Sequence, residues 1–148
     1  MAMANETPPA IVAWLGYGGL IPPLVMVLAD YLLPAGTVRW GGLVVPYAGL
    51  IFAFLGGTWW AFACREEKPE PSLLALAIAP PLMAFLIFFT GSLWASLLLA
   101  ALIAASPLID RLLAAQVSLP PWWMTLRFRL SMGLAGLTAL SVYPLVIN

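Results

Sequence analysis

Histidine is missing from this chain and cysteine occurs once, at Cys64. Without imidazole, haem, chlorophyll and zinc lose their commonest nitrogen ligand, and a lone thiol closes no internal disulfide. No cofactor or metal is expected. Charge is nearly as scarce, at 8% of residues, with six Lys+Arg against six Asp+Glu. That balance provides no basic field to hold a nucleic acid, so no nucleic-acid partner is expected. The densest charged run, Glu66, Glu67, Lys68 and Glu70, reads with Pro69 and Pro71 as a stiff solvated loop. No paired acid and base or metal-ligand cluster has catalytic spacing, so the chain is not expected to be an enzyme. The first ten residues carry no Lys or Arg, and therefore lack the basic region of a cleaved signal; the first helix is expected to stay attached.

What fills the space is apolar. Hydrophobic residues make up 64% of the 148 and the mean hydropathy is +1.03, against roughly half apolar in a soluble domain. Runs of about 20 apolar residues cross about 30 Å of hydrocarbon as helix. Five such runs predict spans at 11–33, 42–64, 72–90, 92–113 and 125–147. They are continuously apolar rather than alternating, which excludes a membrane barrel. The expected fold is an all-α integral membrane bundle of about five transmembrane helices, a single domain over 1–148. A short interfacial helix is expected before the last span, where IDRLLAAQVSLPPWWMTL mixes charges, prolines and tryptophans.

With five spans, Arg65, Lys68, Arg111, Arg127 and Arg129 share a side with the N-terminus, and Arg39 lies opposite. The positive-inside rule then predicts a cytoplasmic N-terminus and an outer C-terminus in a bacterial inner membrane or an equivalent organellar one. Trp14, Trp59, Trp60, Trp122 and Trp123 would form the inner aromatic belt. Tyr31, Trp40, Tyr47, Trp94 and Tyr143 would form the outer one.

Small residues four apart, Gly49, Ala53, Gly57 and Ala61, draw a stripe along the second span that permits close helix approach. Ser96, Ala100 and Ala104, then Ser131, Ala135 and Ala139, repeat the spacing. The first and third spans each contain Pro-Pro-Leu, at Pro22-Pro23 and Pro80-Pro81. Each proline removes an amide donor and frees the carbonyl four residues earlier: Gly18, Gly19, Leu76 and Ala77. Such breaks either kink a helix or line a midplane site. Asp30 lies 19 residues beyond Ile11, about 28 Å along a helix, which puts it at the outer interface within reach of Arg39. By the same measure Asp110 and Arg111 read as anchors at the inner end of the fourth span.

GYGGLIPP (16–23), FLGGTWWAFA (54–63) and PPWWMTLRFRL (120–130) resemble a family of uncharacterised small inner-membrane proteins that includes the mitochondrial transmembrane protein 69. The resemblance covers nearly the whole chain. It draws attention to Gly56, Gly57 and Trp60, and implies a topology without an activity. Many of its members carry histidine where this chain has Trp59, so any task of that histidine is lost or replaced. Two functions are compatible with this sequence. One is an accessory or assembly subunit of a larger, energy-transducing membrane complex, using Gly49, Ala53, Gly56, Gly57, Trp60 and Ala61 against other subunits or a second copy. The other is an oligomeric carrier or binding protein for a small or lipophilic molecule, built on the proline-broken first and third spans. Membrane lipids are partners in both.

Overall fold

A computed structural model describes residues 7–33, 38–65, 67–114 and 119–142. The elements are α1 (Ala10–Gly18), α2 (Ile21–Leu32), α3 (Gly41–Ala63), α4 (Pro71–Thr90), α5 (Leu93–Ala114) and α6 (Pro121–Leu140). Among the described residues every regular element is helical. α1 and α2 together form the first long apolar rod, and with α3, α4 and α5 they make four helices long and apolar enough to cross a membrane. α6 is also 20 residues long but is less apolar, because it carries Arg127 and Arg129.

The four long apolar elements begin and end within one or two residues of the expected spans. The fifth is displaced towards the N-terminus: α6 opens at Pro121, and the end of the expected span, up to Ile147, lies outside the described residues. Among the described residues no separate interfacial helix stands before it. Residues 109–114 continue α5 and residues 121–126 open α6, because Pro120 and Pro121 start a helix rather than interrupt one: a first-turn proline gives up an amide that needs no partner.

α3 is the central helix and packs against α2, α4, α5 and α6, while the other extensive pairing is α5 with α6. Although only Gly91 and Ser92 separate α4 from α5, α4 lies mainly on α3. Gly91 ends α4 with φ 55°, a left-handed setting that a side chain would strain.

The rotation of α3 differs from the stripe expected for it. Its buried residues include Ala48, Gly49, Phe52, Leu55, Gly56, Trp59 and Ala63, which repeat every three and four positions. Steps of four drift by about 40° each on a 3.6-residue helix, so the stripe from Gly49 to Ala61 winds off the contact face; steps of seven drift by only about 20°. Gly49 and Gly56 accordingly stay covered. Ala53 is half-buried, whereas Gly57, Trp60 and Ala61 are exposed. As packing positions within the chain, Gly57 and Ala61 are therefore corrected: they face outward, and Ala63, not among the expected positions, is buried as Gly56 is.

At Gly56, α4 sits close. A Cβ there would lie 2.5 Å from the Ala77 carbonyl oxygen, 3.0 Å from Pro81 Cδ and 3.3 Å from Pro80 Cβ. Ala77 is the residue whose carbonyl Pro81 deprives of its helical donor. A bare glycine Cα lets that carbonyl turn towards α3. Pro107 in α5 frees the Ile103 carbonyl in the same way, and the Ser106 hydroxyl donates to it at 2.8 Å. At the first-span break, the Gly19 carbonyl freed by Pro23 accepts from the Tyr47 hydroxyl at 2.7 Å.

Candidate functional site

Among the described residues the buried charged side chains, Asp110 and Arg127, meet where α3, α5 and α6 converge. Asp110, 1% exposed, accepts from Arg127 Nε at 2.7 Å and from Trp59 Nε1 at 2.8 Å. Trp59 lies four residues before the end of α3, Asp110 four before the end of α5 and Arg127 six after the start of α6. At 1.5 Å per residue the cluster is about 6 to 9 Å inside the helix ends. α3 and α5 end and α6 begins on this side, and these three ends come together around one carboxylate. An ion pair at such a depth is tolerated only with both partners present, because an unpaired charge out of water is costly.

This placement corrects two expectations. Asp110 is a buried ion-pair partner rather than an interfacial anchor, and Trp59 is a buried donor rather than a belt residue. Depth along a helix says how far a residue is from the end, but not whether a neighbouring helix covers it. Arg111, the next residue, is exposed as expected.

Beside the pair, a cavity of about 280 Å³ runs between α1, α3 and α6. Val12, Leu15, Gly16, Gly19 and Leu20 line it from the first rod, Ile51, Phe54, Leu55 and Thr58 from α3, and Trp123, Leu126, Arg127, Leu130, Ser131 and Leu134 from α6; Ile103 closes the back. From Trp123 to Leu134 the α6 wall spans eleven residues, about 16 Å, so the cavity is a slot along the bundle axis. Leu15 and Phe54 are 71% and 67% exposed, and between them the slot opens sideways. α1 has no buried residue and covers this side loosely. The first span supplies this wall, whereas the proline pair of the third is seated on Gly56, so the expected pairing of both broken spans in one site does not occur.

The hydroxyls in the slot are committed: Thr58 donates to the Leu55 carbonyl at 2.7 Å, and Ser131 lies 3.2 Å from Ser106 Oγ, whose own proton goes to Ile103. Two buried donors at the cluster end have no acceptor among the described residues, Arg127 Nη2 and Trp123 Nε1. The Trp123 ring is packed edge-on by Phe62 at 5.8 Å and tilted against Trp122 at 6.0 Å.

Asp30 and Arg39 do not form an ion pair. The Asp30 carboxylate instead lies over the first turn of α3, where a Cβ on Gly41 would come within 2.7 Å of Oδ2. The free amides of a helix N-terminus favour an anion there, and Arg39 remains exposed. Among the described residues no group of three His, Cys, Asp or Glu side chains is placed to hold a metal.

Four helices long and apolar enough to cross a bilayer define a multi-pass integral membrane protein. The chain belongs to the family described as protein of unknown function DUF3429, whose profile matches residues 8–143. No curated protein matches it and no solved structure does.

Proposed function

We propose that this protein binds a small lipophilic molecule taken laterally from the membrane, and holds it without transforming it. The observation that carries this reading is the slot between α1, α3 and α6, with apolar walls and one polar end. Its volume of about 280 Å³ lies near the lower limit of ligand pockets, roughly 300 to 1,000 Å³. A lateral opening suits a ligand dissolved in lipid, and one copy supplies the whole slot, so no oligomer is required.

In this reading α6 is a fifth crossing, its Arg127 neutralised by Asp110. Arg65, Lys68, Arg111 and Arg129 are then the exposed cations on the N-terminal side against Arg39 on the other, which favours an inner-facing N-terminus and an outer C-terminus. We place the protein in a bacterial inner membrane and infer kinship with the mitochondrial transmembrane protein 69. A second reading, attachment to a larger membrane complex, is favoured by Gly57, Trp60 and Ala61 on the outward side of α3.

Native mass spectrometry after extraction in mild detergent tests both. One bound lipophile per chain, lost in Ile51→Trp because the indole occupies the slot, is the expected result. An empty protein that co-purifies stoichiometrically with other subunits would favour the second reading and remove the first.

A further inference from the structure

We propose that the molecule in the slot carries a neutral carbonyl oxygen at its polar end, which accepts hydrogen bonds from Arg127 Nη2 and Trp123 Nε1. The inference rests on the lipophile-binding reading and adds to it the chemistry of the ligand's head. Both atoms are buried and neither has an acceptor among the described residues. Residues four apart on a helix share a face, and both side chains line the slot. Neither donor is free to turn elsewhere. The Nε of Arg127 is held by Asp110 at 2.7 Å, and because a guanidinium is planar this fixes the bearing of Nη2. The Trp123 indole is wedged between Phe62 and Trp122.

A guanidinium and an indole N–H donate and cannot accept, so a head with only donors, such as an ammonium group, finds no partner here. Charge then separates the remaining acceptors. Asp110 already neutralises Arg127, so a carboxylate or phosphate head would set a second anion on one cation in a poorly screened interior. A carbonyl satisfies both donors and adds no charge. Its two lone pairs match two donors approaching from one helix face, and the rest of the molecule lies along Leu55, Leu130 and Leu134.

Ketone, ester and quinone carbonyls share this chemistry, and the test distinguishes them. The purified protein in mild detergent is titrated by calorimetry with four probes, each bearing a ten-carbon chain: a benzoquinone, a methyl ester, the carboxylate at neutral pH, and a phenyl hydrocarbon. The expected result is that the quinone or the ester binds about tenfold tighter than the hydrocarbon, the scale of a hydrogen bond to a buried donor. Trp123→Phe should reduce that preference, because one of the two donors is lost while Arg127 Nη2 remains. Whichever carbonyl probe is tighter names the source. Equal affinity for hydrocarbon and carbonyl would overturn the proposal, with the donors then served by water, and would leave lipophile binding standing. Tightest binding of the carboxylate would also overturn it. Failure of all four probes to bind would remove the lipophile reading itself. The comparison of probes on the unaltered protein decides the matter even if Trp123→Phe does not fold.

Discussion

Pro22-Pro23 and Pro80-Pro81 stand in the same setting, each followed by leucine, yet the first divides its span into α1 and α2 while the second is carried inside an unbroken α4. The residues ahead of them differ. Gly18 and Gly19 precede the first pair, and two adjacent glycines weaken a helix by about 1 kcal/mol each. Ala77, Ile78 and Ala79 precede the second, and alanine is the strongest helix former. The neighbours differ too. At the first break a side chain, Tyr47, reaches across to the freed Gly19 carbonyl. At the second the backbone of α3 comes up to the freed Ala77 carbonyl through Gly56. The same local fault thus yields a close backbone contact on one side of α3 and the wall of a slot on the other. A proline pair acquires its meaning from the helix it faces.

Each side can be broken separately. The largest effect is expected on the slot side from Arg127→Ala, which leaves Asp110 buried with only Trp59 as a donor. Removing one partner of a buried pair costs about 3 to 5 kcal/mol, and a thermal melt in detergent should show a large fall or no folded protein. On the side of the backbone contact, Gly56→Leu should cost about 3 kcal/mol, the upper end for overpacking, because the obstacle is a backbone carbonyl that cannot swing aside. Tyr47→Phe should cost about 1 kcal/mol, the value of one hydrogen bond, and should loosen the first break; faster amide exchange around Gly19 would register this. Gly57→Leu should change stability by less than about 0.5 kcal/mol, since nothing lies within 4 Å of its Cβ position. If Gly57→Leu cost more than Gly56→Leu, the rotation assigned to α3 would be wrong.

The sequence made the long apolar helices legible because the need for about 20 apolar residues is local and strong. The freed carbonyls at Gly19 and Ala77 were legible for the same reason: a proline acts on its own helix. The setting of α3 was not. Gly49, Ala53, Gly57 and Ala61 catch the eye as small residues, but the seven-residue spacing of Gly49, Gly56 and Ala63, with Phe52 and Trp59 beside it, follows the contact face more closely. That repeat was the available signal. The Asp110-Arg127-Trp59 cluster joins residues 17 and 51 positions apart, and no local pattern ties them. Only the scarcity of charge gave a hint, since an acid and a base flanking the fourth connection are two of just twelve charged residues.

The slot is the feature on which the functional account stands, and photolabelling addresses it most directly. A ten-carbon ketone bearing a chain diazirine, irradiated with the protein in mild detergent and mapped by peptide mass spectrometry, should label α3 and α6 at positions such as Ile51, Leu55 and Leu134. Labelling should saturate and be displaced by unlabelled ketone. Unsaturable labelling spread over the exposed face of α4, at Leu82, Phe85 and Leu86, with none in the slot, would contradict the account.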